Sequence, residues 1–281
     1  MTVSLPTGHD QPAFDDPAIA SAAAVLVAAR RAAAGIDAFP GVLPEDLATA
    51  YAIQKAATAA WPDAVAGWKV ALIPPALTER LGAIRFIGPV FAKTTIFWTG
   101  EPLRLPVITG GFGAIEAEFV VRVAADAPPG RLDYSPGEAA AFVGAIHAGI
   151  EVAGNALSSV MALGPMASVP SFGNNIGLVI GPQIAEGLAD LVALRAETEI
   201  DGQSVGTGAA AKLPGGVAAA MAVALGTAAQ LGRPLTAGQW VSTGALTGVH
   251  AVTIGQSIRI AFTGIEPMTG TTVAAQPTAD V

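Results

Sequence analysis

Two glutamates two residues apart, Glu116 and Glu118, interrupt the apolar run IEAEFVV over residues 115–121. In an extended strand alternate side chains share a face. These carboxylates would therefore stand together, while Ile115, Ala117, Phe119 and Val121 form an opposite, core-type row. A same-face acidic pair suits either a water-facing surface or a hard divalent cation, Mg²⁺ or Mn²⁺, held through oxygen. A cation needs a third ligand. The candidate is Glu151, in FVGAIHAGIEVAGNAL, because a lone carboxylate is costly to bury among apolar neighbours. Its alternative is an exposed helix position or a pairing with arginine. His147, four residues earlier, would share the face of Glu151 in a helix or a strand, and a structural role is the simpler reading of a lone histidine. Lys69, in AGWKVAL, either snorkels to the surface or, near a cation, holds a substrate carboxylate and stabilises developing negative charge.

The elements that must position these groups are strands. AGWKVALI (66–73), KTTIFW (93–98), IEAEFVVRV (115–123) and NNIGLVIG (174–181) are short, rich in β-branched or aromatic residues, and separated by glycine and proline. VALRAETEIDGQSV predicts a hairpin, its first arm alternating Leu194, Ala196, Thr198, Ile200 against Arg195, Glu197, Glu199, with Asp201-Gly202 as the tight turn. GQWVSTGAL (238–246) and QSIRIAF (256–262) return to strand, and EPMTGTTVAAQPTADV reads as a final turn and a frayed end. Two helices precede the strands. Asp16-Pro17 is the cap and first position of one through IASAAAVLVAARRA, ending near Gly35; PEDLATAYAIQKAATAAW begins the other, with Pro44, Glu45 and Asp46 as its first turn. Residues 1–15 read as a loose tail. No GxGxxG follows a strand, and GTGAAAKLPGG lacks the GK[ST] of a phosphate loop. The pattern predicts an α+β chain: a tail and small helical lobe over 1–65, and a rolled or barrel-like sheet domain over 66–281.

Composition narrows the function. The chain has 281 residues, 52% apolar and only 13% charged, against about 25% charged in an ordinary globular chain. That shortage points to surface buried in a homo-oligomer. The formal net charge is −8, and no basic patch with interleaved aromatics exists, which argues against nucleic acid. Cysteine is absent, excluding disulfides, thiolate chemistry and zinc–thiolate sites. The opening MTVSLPTGHDQPAFDD lacks a basic start followed by an apolar core, and a soluble cytoplasmic protein is expected. The most membrane-like window, residues 213–232, is broken by Pro214, Gly215, Gly216 and Gly226. It reads as a buried helix beginning after Gly216, with no membrane role.

GWKVALIPPALTERLG, IEAEFVV, GIEVAG and VSTGALTG, in this order and approximate spacing, resemble the 2-oxopent-4-enoate hydratase and oxalocrotonate decarboxylase branch of the fumarylacetoacetate hydrolase superfamily. The resemblance runs from about residue 45 to 265. It implies a small helical N-terminal region on a mixed β-roll, Mg²⁺ or Mn²⁺ held by Glu116, Glu118 and Glu151, and Lys69 as the catalytic, substrate-binding lysine. It further implies homo-oligomers and a small 2-oxo acid as substrate. Three positions depart from the branch. Phe86 in IRFIGPVF and Gly154 stand where acidic residues are usual, and Asn174 is nearest to a substrate-binding serine. Phe86 then contributes an apolar wall to the substrate pocket, whereas asparagine keeps a donor and an acceptor. The expected reaction is that of a hydratase-like lyase on a 2-hydroxy-2,4-dienoate or 2-oxo-4-enoate. Decarboxylation of a 2-oxo dioate, C–C hydrolysis of acylpyruvates or diketones, and a non-catalytic metal-binding relative are the alternatives. Hydrolases of the superfamily often use a histidine–glutamate pair on the N-terminal side of the roll; none precedes Glu116, which weighs against hydrolysis, while His147 or His250 could still reach the pocket through the fold.

Overall fold

A computed structural model describes residues 16–185 and 187–278; the tail expected over 1–15 lies outside them. Asp16 caps α1 (Pro17–Arg31) by accepting from the Ala18 N–H, an interaction worth about 1 kcal/mol. Asp46 caps α2 (Leu47–Ala60) by accepting from the Thr49 N–H. Pro44 and Glu45 therefore precede the helix rather than form its first turn, because the cap residue holds its own backbone extended. The two helices pack together through Ile19, Ala23, Leu26, Ile53 and Ala57, and onto the rest of the chain through Trp61, Phe91 and Phe172.

Strands follow. β1 (Val65–Leu72), α3 (Pro75–Leu81), β2 (Arg85–Phe91), β3 (Thr95–Phe97), β4 (Leu103–Val107) and β5 (Phe112–Val123) come first. Next are α4 (Pro136–Ala139), β6 (Val143–Asn155), α5 (Val160–Leu163), α6 (Pro165–Ser168) and β7 (Asn175–Ala185). The hairpin of β8 (Arg195–Ile200) and β9 (Gln203–Ala209) turns, as expected, at Asp201 and Gly202, both with positive φ. α7 (Gly216–Gln230), β10 (Trp240–Ala245), β11 (His250–Ala251), β12 (Ser257–Phe262) and β13 (Met268–Ala274) complete the chain.

The larger sheet runs β2-β1-β10-β5-β6-β7-β3, with β11 paired to β5, and mixes parallel and antiparallel neighbours. It curls until β2 and β7 meet across a seam. At that seam Gly88 has no alternative. A Cβ there would sit 2.2 Å from the Phe172 carbonyl oxygen. The outer face of the roll packs on α7 and on the smaller sheet, β4-β13-β12-β8-β9. The inner face encloses a small cluster of Val90, Val120, Leu178, Ile180 and Trp240. This is the expected α+β architecture of helices on a mixed β-roll.

Two expectations need correction. Residues 268–274 are not a fraying end but β13, whose Met268, Gly270 and Thr272 are buried in alternation with exposed Thr269 and Thr271. Its pairing with β12 and, in parallel, with β4 secures it; threonine and glycine hid that period from a hydrophobic reading. KTTIFW contributes only a three-residue strand after a 3₁₀ turn. The window 213–232 is, as read, a helix buried in the core, and among the described residues no helix is long and apolar enough to cross a membrane.

Candidate metal centre

Strand register brings the acidic residues together. β5 and β6 are antiparallel with Glu116 directly opposite Glu151 and Glu118 opposite Gly149, so all three carboxylates project from the inner face. One carboxylate oxygen from each lies within 4.8 Å of those of the others. Glu116, Glu118 and Glu151 are only 6%, 1% and 0% exposed. His147 does share the strand face of Glu151, but its ring packs edge-on against Trp240 and its Nδ1 lies 2.9 Å from the Gly181 carbonyl oxygen, a structural placement.

Lys69 arrives from the neighbouring strands. β1 lies parallel to β10, with Lys69 beside Ser242, and β10 lies beside β5. Trp68 and Val70 point the other way and are buried in the main core, anchoring the strand while the lysine turns inward. Lys69 Nζ stands 3.2 Å from Glu151 Oε2, an ion pair with both partners buried. The Phe86 ring lies 5.6 Å from the same ammonium, since Ala71 of β1 pairs with Phe86 and Lys69 with Gly88.

Glu118 and Glu151 are oriented from behind. Glu118 Oε2 accepts from the Ser242 hydroxyl and, at 2.8 Å, from the Gly244 N–H, which leaves its buried Oε1 without a partner. Asn175 Nδ2 donates to Glu151 Oε1 at 3.1 Å. Asn174, the residue singled out from the sequence, sits in a left-handed backbone conformation with its amide engaged by Asn155 and Ser168. The contact to Glu151 belongs to its neighbour. The Asn175 carbonyl in turn accepts from Arg30 of α1, whose guanidinium stacks 4.7 Å from both Trp61 and Phe172. Gly154 lies three residues beyond Glu151 and so on the other face, beside Ile176 in a narrow crevice that Arg30 also lines.

Electrostatically the cluster is unfinished. Burial, then Glu151, pushes the Glu116 carboxyl up to about 8, with Lys69 opposing. Burial and the two other glutamates raise Glu118 well above the carboxylate range. For Lys69 burial pulls downward, but the three carboxylates, Glu151 first, outweigh it and hold the ammonium charged. Three carboxylates against one ammonium leave negative charge that burial penalises. A divalent cation would satisfy it. The orphaned Glu118 Oε1 and the Glu151 oxygen facing Lys69 are hard oxygen donors suited to that role.

Sequence reasoning passed over Ser242, Gly244 and Asn175. The signal for the first two was present in VSTGALTG, a strand whose hydroxyl and glycine needed only the β1–β10 pairing to be placed.

No protein-family profile and no curated protein matches this sequence. Solved structures do match. 4-Oxalocrotonate decarboxylase from Pseudomonas putida G7, complexed with calcium and acetate, aligns with TM-score 0.73 at 20% identity over 91% of this chain and 97% of its own. The same enzyme with magnesium and adipate aligns equally well at 19% identity, again over 91% and 97%. Fumarylpyruvate hydrolase from Pseudomonas aeruginosa, in complex with Mn²⁺ and pyruvate, gives TM-score 0.51 at 17% identity over 74% and 89%. The protein has the fold of these enzymes, which is the fold that the resemblance read from its sequence implies.

Proposed function

We propose that the protein is a lyase dependent on Mg²⁺ or Mn²⁺ and acting on a small 2-oxo acid. The observation that carries this reading is the convergence of three buried carboxylates with one buried lysine on the inner face of the roll. Glu116, Glu118 and Glu151 would hold the cation, which when bound supplies the positive charge that draws electron density from a 2-oxo acid. Ser242 and the Gly244 N–H hold Glu118 by one oxygen and leave the other free to ligate. Asn175 does the same for Glu151. Lys69 balances the remaining charge, binds the substrate carboxylate and stabilises negative charge as it develops on the 2-oxygen. Phe86 makes the wall beside Lys69 apolar, which strengthens that attraction by keeping water from it.

Hydratase-like water addition belongs to this class and was the expectation from the sequence. A specific observation favours decarboxylation within it. The groups gathered at the centre are Glu116, Glu118, Glu151 and Lys69, and Phe86, which lies against that ammonium, offers no proton acceptor where an acidic residue is usual in the branch. Loss of CO₂ requires no base. The C–C electron pair passes into the conjugated 2-oxo system, and one proton, which Lys69 can deliver, completes the product. Incubation with a panel of 2-oxo-4-enoates, 2-oxo dioates and acylpyruvates, with and without Mg²⁺ or Mn²⁺, tests this by product mass. Loss of CO₂ supports decarboxylation and gain of one water without cleavage supports hydration. Two fragments with a gained water would move the protein to C–C hydrolysis, and no turnover by any loaded enzyme would favour a non-catalytic metal-binding relative. A homo-oligomer in the cytoplasm, supported by the low charge content and lack of cysteine, is part of the same proposal and is tested by light scattering and fractionation.

A further inference from the structure

A second site lies on the far side of the same strand. Arg85 opens β2 and faces away from its neighbour Phe86, so it turns its back on the carboxylate centre. It is 2% exposed, yet it donates to a neutral acceptor, the Pro214 carbonyl oxygen. No carboxylate of the described residues forms an ion pair with it. A buried guanidinium with five donors and no counter-charge is an expensive arrangement. Arg85 lines a crevice of about 540 Å³, where a second buried group is also unsatisfied. The Tyr134 hydroxyl, in a residue only 3% exposed, has no hydrogen-bond partner.

Two other charges of the crevice, Arg131 and Glu138, are already committed to each other. Arg131 pairs with Glu138 and stacks 4.3 Å over the Tyr134 ring. Glu138 also accepts from the Ser135 N–H and hydroxyl in the capping box of α4. That leaves Arg85 as the cation seeking an anion and Asp133 as the acid that would repel a second one. Ile84, with Ala219, Ala222 and Val223 of α7, makes the remaining wall apolar.

We propose that this crevice binds a small monocarboxylic acid, its carboxylate against Arg85 and the Tyr134 hydroxyl and its alkyl part on the α7 wall. A carboxylate matches the planar fork of the guanidinium. A single charge matches the presence of Asp133. The inference is independent of the metal centre, so its failure would leave that reading untouched.

Calorimetric titration of the full-length protein with butyrate, with succinate and phosphate as comparators, tests the proposal. Wild type should bind one butyrate per chain, more tightly than succinate or phosphate, and Lys69→Met should bind it equally. Arg85→Gln should weaken binding by about tenfold or more, as loss of a charge-assisted pair does, and Tyr134→Phe by a few fold. Should Arg85→Gln fail to fold, Tyr134→Phe, which removes one oxygen, decides alone. No butyrate binding to wild type, equal binding by Tyr134→Phe, or binding lost in Lys69→Met would overturn the proposal. So would a fall in oligomer mass on Arg85→Gln without butyrate binding to wild type, since the missing carboxylate would then come from a second copy of the chain.

Discussion

β5 and β8 carry the same short pattern, glutamate–X–glutamate on one face of a strand, with opposite consequences. In β8, Glu197 accepts from the Ser204 hydroxyl at 2.6 Å and Glu199 pairs with Arg259 at 2.5 Å across the neighbouring strands; both stay partly exposed. Each charge there has water or a partner, and nothing remains to be satisfied. In β5 the residue opposite Glu116 is another glutamate, both glutamates are buried, and Lys69, the buried cation of the centre, reaches Glu151 instead. The lesson is that chemistry lies in what the sheet places across from the pair. A surface pair contributes about 0–1 kcal/mol and little else, whereas a buried and incompletely compensated cluster is a site waiting for a charge.

The contrast can be broken by substitution. The largest effect should follow Glu151→Gln, which removes a proposed metal ligand and the ion pair of Lys69 together. Metal affinity should fall by more than the roughly 10–100-fold that losing an outer support costs, while Glu197→Gln and Glu199→Gln leave it unchanged. Calorimetry with Mn²⁺ measures both.

Next in size is Lys69→Met, which keeps most of the apolar stem and removes the charge. Turnover should fall on the order of 10²-fold or more, as when a donor to developing charge is lost, with a much smaller change in metal affinity. Borohydride trapping with a 2-oxo acid sharpens the role: no adduct at Lys69 is expected, because a cation held at the centre would supply the electron sink. A stable adduct in the peptide mass would assign Lys69 covalent chemistry instead.

Asn175→Ala should weaken metal binding by about 10–100-fold, the usual consequence of freeing a ligand from its support. Arg30→Met, one step further out on the Asn175 carbonyl, should produce a smaller loss of the same sign.

The gentlest test is the pH dependence of the metal-free protein. A carboxyl raised to about 8 in the folded state binds its proton more tightly folded than unfolded, where about 4.3 is normal. The stability it contributes is complete below about 4 and is lost as pH rises through about 8. Metal-free protein should thus melt at progressively lower temperature across that window, and saturating Mn²⁺ should remove most of the decline. Glu116→Gln should flatten the metal-free profile, and Glu199→Gln should not.

Much of this was legible in the sequence. The Asp16 cap of α1, the Asp201-Gly202 hairpin and the alternation in IEAEFVV rest on local rules that tertiary context did not override. Lys69 was legible for the same reason, since Trp68 and Val70 beside it had to face a core. What the sequence withheld was pairing. That Glu151 sits opposite Glu116, and that Asn175 rather than Asn174 meets it, depends on the register of strands far apart in the chain. β13 and β2 were illegible for a different reason: threonine and glycine in one, and Pro89 on an edge strand in the other, mask strand character. Arg85 looked like one more scattered charge, because burial without a partner cannot be read from a single chain.

The most direct test is electron paramagnetic resonance titration of Mn²⁺ into the metal-stripped protein and its paired variants. The account predicts one tightly bound Mn²⁺ per chain in wild type and in the Glu197→Gln/Glu199→Gln double variant, and none in Glu116→Gln/Glu118→Gln. Retention of the bound ion when the β5 pair is removed, or its loss when the β8 pair is removed, would contradict the assignment of the centre.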